Sequence, residues 1–351
     1  MMHNRLESLE HLEILNRKAT DLAFGLEDLD WSVPVDRDKY WAPDNLGPLC
    51  YLPAYSLLNA EEKRRYNQLF ALGVCEQFIW LEEQVLIGLL VRVLQGSHLP
   101  RPLSEAIRHF IVEERKHTSM FWRILEKSEP TWYPPRRFKL FNVSPLQRLL
   151  LYGIIRNPRL FLVWVWMAIF FEERTVFFAR HYIKARHRSP GEIDALHTQL
   201  HEYHLRDEAR HCQLDQYLIK HLYDHEPQWK KLMCAKMFYR VMRQYVFPRR
   251  TTRSVLQVLG HEFPRLRKNI IPQLLEQLPQ IGLNHDFHEM LFNRRATPRS
   301  MKLFAEYPEH DRLWDLFLAE QKNVGTPVSA RGGKEGTPNL VTTELETMVK
   351  L

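Results

Sequence analysis

Long apolar runs are missing from this chain. No stretch reaches the roughly eighteen uncharged apolar residues that a transmembrane helix needs, and the nearest, residues 160–171, ends at Glu172-Glu173. The first residues mix Arg5, Glu7, Glu10 and Glu13 with apolar ones, which leaves no uninterrupted apolar core or small-residue cleavage site and argues against a secretory signal. Cysteine is scarce too. Cys50, Cys75, Cys212 and Cys234 form no close pair, which excludes a disulfide framework and points to a reducing cytoplasm. With only 13 glycines in 351 residues and no strong strand-like alternation, the fold class is all-α. The formal charge of +7 invites a nucleic-acid reading, but no recognition motif accompanies it and the Lys and Arg residues share their helices with Asp and Glu. Solvated helix faces, and no nucleic acid, are expected.

What is present is helical periodicity. A short helix is predicted over residues 6–23, followed by a Pro- and Trp-containing wrapping arm over 31–53. Asn59 before Ala60-Glu61-Glu62 is an N-cap with an acidic first turn, and the pattern then runs to Gln95 before Gly96 and Pro100 stop it. Further helices are predicted over 103–127, 144–155, 158–187 and 192–223, each bounded by Pro, Gly or Ser. A helical elaboration follows, with segments at 229–245, 251–260, 264–278 and about 312–322. The expected layout is one domain over 1–323 with its bundle at about 60–223, and a polar, disordered tail over 324–351.

The chemistry concentrates in two short runs. In His204-Leu205-Arg206-Asp207-Glu208-Ala209-Arg210-His211, a rotation of about 100° per residue places His204, Glu208 and His211 within roughly 60° of one another. About ninety residues earlier, Glu113-Glu114-Arg115-Lys116-His117 repeats the Glu-x-x-His core. Each run follows a long apolar helix that carries a Glu-Glu doublet, Glu82-Glu83 and Glu172-Glu173. Helical phase sets Glu82 on a dry stripe with Cys75, Phe78, Ile79, Val85, Leu86 and Leu89. It sets Glu172 with Val165, Ala168, Ile169, Val176 and Ala179, while Glu83 and Glu173 lie nearer the wet edges. The doublets leave the choice within each pair open.

Glu82 precedes Glu114 by 32 residues and Glu172 precedes Glu208 by 36, enough for a helix to end and another to return antiparallel to the same level. A duplicated helix hairpin in which each half supplies one lone Glu and one Glu-x-x-His is the layout of ferritin-like di-iron carboxylate bundles. Mixed carboxylate and imidazole donors suit two iron ions, or manganese. Asp207 is placed to accept from the free N–H of a ligand histidine. His197 and His201 share the ligand stripe and are expected to line a cavity or its rim. Trp164, Trp166, Phe170, Phe171, Phe177 and Phe178 suit an aromatic pocket or plain core.

Over about residues 70–220 the sequence resembles the di-iron N-oxygenases typified by p-aminobenzoate N-oxygenase. That family extends the second motif to His-x-x-x-Glu-x-x-His, a pattern met by His204, Glu208 and His211 beside Glu114 and His117. The resemblance implies a non-haem di-iron oxygenase that uses O₂ to oxidise an amine towards a nitro group in secondary metabolism. Its metal ligands would be Glu82, Glu114, His117, Glu172, His204, Glu208 and His211. An electron donor or reductase is required, and Lys236, Arg240, Arg243, Arg249, Arg250, Arg253, Arg265, Arg267 and Lys268 concentrate positive charge that suits either a solvated face or a docking surface for an acidic reductase or carrier protein. A homodimer is left open. The same ligands would also serve C–H hydroxylation or desaturation, and a ferritin-type ferroxidase and a helical scaffold without metal are the other rivals.

Overall fold

Asn59 starts the first bundle helix in the way its sequence predicts. Its side chain accepts from the Glu62 N–H at 2.9 Å while the Glu62 carboxylate accepts from the Asn59 N–H at 2.9 Å, so two donors that a helix start leaves unpaired are satisfied reciprocally. The computed structural model describes residues 8–96, 98–133, 136–143, 149, 153, 161–246, 249–291 and 293–317. The bundle consists of α2 (Ala60–Leu81) continued by α3 (Ile87–Gly96), α4 (Arg101–Ser128), α5 (Phe161–Arg188) and α6 (Ala195–Leu218), preceded by α1 (Leu9–Asp21). Among the described residues there is no strand, only a single bridge between Tyr40 and Ile193, and no helix is long and apolar enough to cross a membrane. The architecture is all-α and ferritin-like.

Between α2 and α3 the chain makes one π turn, Glu82–Leu86, where the sequence predicts unbroken α-helix. The predicted helix at 144–155 and tail at 324–351 fall outside the described residues, apart from helical Leu149 and Gly153.

The arm after α1 wraps the bundle through polar anchors that a sequence pattern does not reveal. The Asn67 side chain on α2 accepts from the N–H groups of Trp41 and Ala42 at 2.9 and 3.0 Å and donates to the Ala42 carbonyl at 2.8 Å. Tyr40 is tied to the chain just before α6, its N–H donating to the Glu192 carbonyl at 3.3 Å and its carbonyl accepting from the Asp194 N–H at 2.8 Å. Glu76, buried in α2, accepts from the Tyr133 hydroxyl at 2.8 Å and from the N–H groups of Lys139, Leu140 and Phe141 at 2.9, 2.9 and 2.6 Å. One carboxylate thereby fixes the chain that leaves α4.

Beyond the bundle lie α7 (Gln228–Val246), α8 (Arg249–Glu262), α9 (Pro264–Gln277), α10 (His285–Leu291) and α11 (Pro298–Glu306). The last two are too short to show in a periodicity search. Of the helix predicted at about 312–322, residues 318–322 lie outside the described ones, and residues 312–316 belong to a 3₁₀ segment, Pro308–Leu316. His310 and Leu313 are buried and Leu316 packs on the core, so the apolar spacing there is three, the 3₁₀ period. Arg65 on α2 grips Glu262 of α8 through two bonds of 2.7 and 2.8 Å. One apolar core runs from Leu12 to Phe317.

Candidate metal centre

The two hairpins bring the seven predicted ligands into the middle of the bundle, and none of Glu82, Glu114, His117, Glu172, His204, Glu208 and His211 is more than 6% exposed. Glu114, His117, Glu208 and His211 form one group and Glu82, His117 and His204 a second, with candidate donor atoms in each group lying within 4.8 Å of one another. His117 belongs to both, so the two groups are adjacent. Glu172 completes the ring from α5, its Oε2 lying 3.7 Å from His211 Nδ1.

Apart from a 3.2 Å bond between His211 Nδ1 and Glu208 Oε2, these donors face one another with few hydrogen bonds. Both oxygens of Glu114, Oε2 of Glu82, Nδ1 of His117 and both ring nitrogens of His204 are buried with no hydrogen-bond partner. His211 Nδ1 approaches Glu114 Oε1 to 3.0 Å, His117 Nδ1 approaches Glu208 Oε1 to 3.3 Å, and His204 Nε2 approaches Glu208 Oε1 to 2.5 Å. Such a concentration of unmet lone pairs in a dry interior is costly unless cations accept them. Burial, then the charges of Glu114 and Glu208, hold the Glu82 carboxyl well above its ordinary range. Burial alone would lower His117, but its bond to Asp207, then Glu114 and Glu208, raise it to about 9. His204 is held well below the usual imidazole range by burial and by His117, so it presents a lone pair. The donor set, carboxylates and imidazoles with no thiolate, fits two iron or manganese ions.

The far sides of the His117 and His211 imidazoles are held by the opposite helix. His117 Nε2 donates to Asp207 Oδ2 at 3.0 Å, and His211 Nε2 donates to Glu113 Oε2 at 2.8 Å. Because a carboxylate only accepts, each Nε2 carries the proton and each Nδ1 faces the centre. Lys116 donates to Asp207 at 2.6 Å, and Arg210 bridges Glu113, at 2.6 Å, and Asp207. Two carboxylates thus meet two cations, leaving this outer layer neutral. The chain therefore repeats a five-residue unit, Glu113-Glu114-Arg115-Lys116-His117 and Asp207-Glu208-Ala209-Arg210-His211, in which the residue before each central Glu serves the other helix's His. Sequence reasoning assigned Asp207 but missed Glu113, Lys116 and Arg210. The signal was the acid before each central Glu and the cation before each His.

A model of the p-aminobenzoate N-oxygenase AurF family matches residues 7–268. The chain belongs to that family. Among curated proteins, none matches it. The matched region contains both hairpins, the arm, α7 and α8, so the family likeness includes every residue of the centre.

Within this family framework the structure separates the two members of each Glu doublet. Glu83 is exposed. Glu173 is buried rather than wet-edged, and its oxygens accept the N–H groups of Arg299 and Ser300 at 2.7 and 2.8 Å, which caps α11. The phase reading misplaces it because α11 covers the edge that would otherwise be wet. His197 and His201 are core rather than cavity rim. His197 stacks on Trp41 with centroids 4.9 Å apart and bonds Ser128 Oγ at 3.1 Å, and His201 stacks on Tyr182 at 4.1 Å. Burial lowers both rings to about 3. Trp166 and Phe170 turn towards Phe238 on α7 and are core as well. The residues lining the centre are Phe110, stacked on His211 at 3.9 Å, and Phe78 and Phe121, which meet His204 edge-on at 5.4 and 4.9 Å.

Proposed function

We propose that this protein is a di-iron oxygenase that N-oxygenates a small-molecule amine, with Glu82, Glu114, His117, Glu172, His204, Glu208 and His211 as metal ligands. The observation that carries this reading is the inward convergence of buried donor atoms that lack hydrogen-bond partners, within a chain of the p-aminobenzoate N-oxygenase family. Free Cys50, Cys75, Cys212 and Cys234 fit a cytoplasmic setting.

Two iron ions held here would supply O₂ activation, chemistry that no side chain provides. The chain's own contribution is positional. Four glutamates offset the positive charge that makes their burial tolerable. Asp207 and Glu113 hold the protons on His117 Nε2 and His211 Nε2, which keeps each Nδ1 directed inward. Arg210 and Lys116 prevent these outer acids from taking those protons. Phe78, Phe110 and Phe121 fix the ring planes and exclude water. His204 adds a neutral donor one helical turn before Glu208, filling a position otherwise open to water.

The test is anaerobic loading with Fe(II), then addition of O₂, a chemical reductant and p-aminobenzoate as probe, with products identified by mass spectrometry. Hydroxylamine and nitro products are expected from the parent. His204→Ala is expected to retain the fold and at least one iron yet lose most N-oxygenation, while His201→Ala leaves metal binding intact. A metal-loaded parent that oxidises no arylamine, or a His204→Ala protein that behaves as parent while His201→Ala loses metal, overturns the assignment.

A further inference from the structure

Residues 227–261 contain no Asp or Glu and eight Lys or Arg. The helix α7 within this stretch has two distinct faces. Cys234, Ala235, Phe238 and Met242 are buried, and Phe238 packs on Phe170 and Trp166 of α5 with ring centroids 6.4 Å away in each case. On the opposite side, at about 100° per residue, Trp229, Leu232, Lys236, Arg240 and Arg243 share a stripe roughly 80° wide. Trp229 is 67% and Leu232 43% exposed, and the three cations beyond them are exposed as well. The lysines off the stripe are engaged, Lys230 with Glu226 and Lys231 with the Asp224 carbonyl. Lys236, Arg240 and Arg243 make no ion pair or hydrogen bond with any described residue.

This arrangement joins an apolar patch, led by an aromatic anchor, to a single-sign row of cations, a composition suited to interfaces and to steering an oppositely charged partner. Two copies of this chain would set like charges against each other. The stripe also lies one helix away from the centre, since α5, on which α7 packs, carries Glu172 two residues after Phe170. Our functional reading creates a specific need at this surface. Conversion of R–NH₂ to R–NHOH follows R–NH₂ + O₂ + 2 e⁻ + 2 H⁺ → R–NHOH + H₂O, so two electrons must arrive from outside for each such step. The chain has no Gly-x-Gly-x-x-Gly run with which to bind a dinucleotide reductant of its own.

We propose that the α7 stripe docks an acidic one-electron carrier protein, with Trp229 and Leu232 packed under the partner's apolar rim and Lys236, Arg240 and Arg243 facing its carboxylates. The proposal rests on the oxygenase reading for its choice of partner.

The experiment uses the full-length, iron-loaded protein, an acidic [2Fe–2S] ferredoxin as probe, and phosphatidylserine vesicles as the competing anionic surface. Binding is titrated at low and moderate salt for the parent, K236E/R240E/R243E, the neutral K236Q/R240Q/R243Q and W229A. Turnover is driven either by reduced ferredoxin or by dithionite. The parent is expected to bind ferredoxin and to lose about tenfold in affinity as salt rises. Charge reversal is expected to weaken low-salt binding by at least about tenfold, neutralisation by less, and W229A several-fold with an unchanged salt slope. Ferredoxin-driven turnover should fall in parallel while dithionite-driven turnover stays at the parent level. A parent that binds vesicles but not ferredoxin, or a reversed variant that binds ferredoxin as the parent does, overturns the docking site. Failure of the oxygenase reading looks different: dithionite-driven turnover is absent from the parent, while charge reversal still abolishes ferredoxin binding.

Discussion

Glu76 and Glu114 are both buried glutamates on neighbouring helices, yet their surroundings differ in kind. Every lone pair that Glu76 offers meets a donor: the Tyr133 hydroxyl and three consecutive backbone N–H groups. Neither oxygen of Glu114 has a hydrogen-bond partner, and its Oε1 lies 3.7 and 3.0 Å from the Nδ1 atoms of His117 and His211. The same contrast separates adjacent residues on α5, where Glu173 caps α11 and Glu172 faces His211. Burial therefore does not mark a metal ligand. The mark is a buried donor atom directed at other donors, because an ion is the group that can satisfy them all together.

Substitutions can break this comparison. The largest effect is expected at the inward group, where Glu114→Ala and Glu208→Ala should each reduce bound metal from about two ions per chain to one or fewer, measured by elemental analysis. Unchanged metal content in both would place the centre elsewhere. Glu76→Ala should act in the opposite manner. It orphans three backbone donors and a tyrosine hydroxyl, so it should lower unfolding free energy by about 3 kcal/mol in denaturant titration while the folded fraction still binds its full metal complement.

Asp207→Asn is the intermediate case, because it touches no metal but orients His117. It should weaken metal affinity by roughly 10- to 100-fold in competition with a chelator, with Asp207→Glu restoring part of the loss and the fold unaffected. The smallest change is expected at the outward members of the doublets. Glu173→Ala should cost about 1 kcal/mol through loss of the α11 cap, and exposed Glu83→Ala should change neither stability nor metal content by a measurable amount. If Glu83→Ala removes metal and Glu82→Ala does not, the assignment within the first doublet is reversed.

Much of this was legible because the hairpins are long and their periodicity strong. Helical phase set Glu82 on the dry stripe and Glu83 nearer the wet edge, as their burial and exposure bear out, and the Glu-x-x-His spacing picked out residues that the fold gathers in one place. The π turn at Glu82–Leu86 was not legible, because its apolar spacing differs from that of an α-helix by a single residue within an apolar stretch. The pairing of Glu113 with His211 depends on which helix faces which, information that no single-helix pattern contains. Glu76 looked like any polar residue on a helix, since its partners lie some sixty residues away in an irregular segment. Glu173 was read as wet because α11, the element that covers it, is only nine residues long.

The cap on α11 ties residues 298–306 to the bundle. The family match stops at residue 268, whereas Arg299 and Ser300, which grip Glu173, lie beyond it. Glu172 and Glu173 are consecutive on α5, so the carboxylate that holds α11 is the immediate neighbour of the one that faces His211. The segment beyond the matched residues is thus fastened to the helix that carries Glu172.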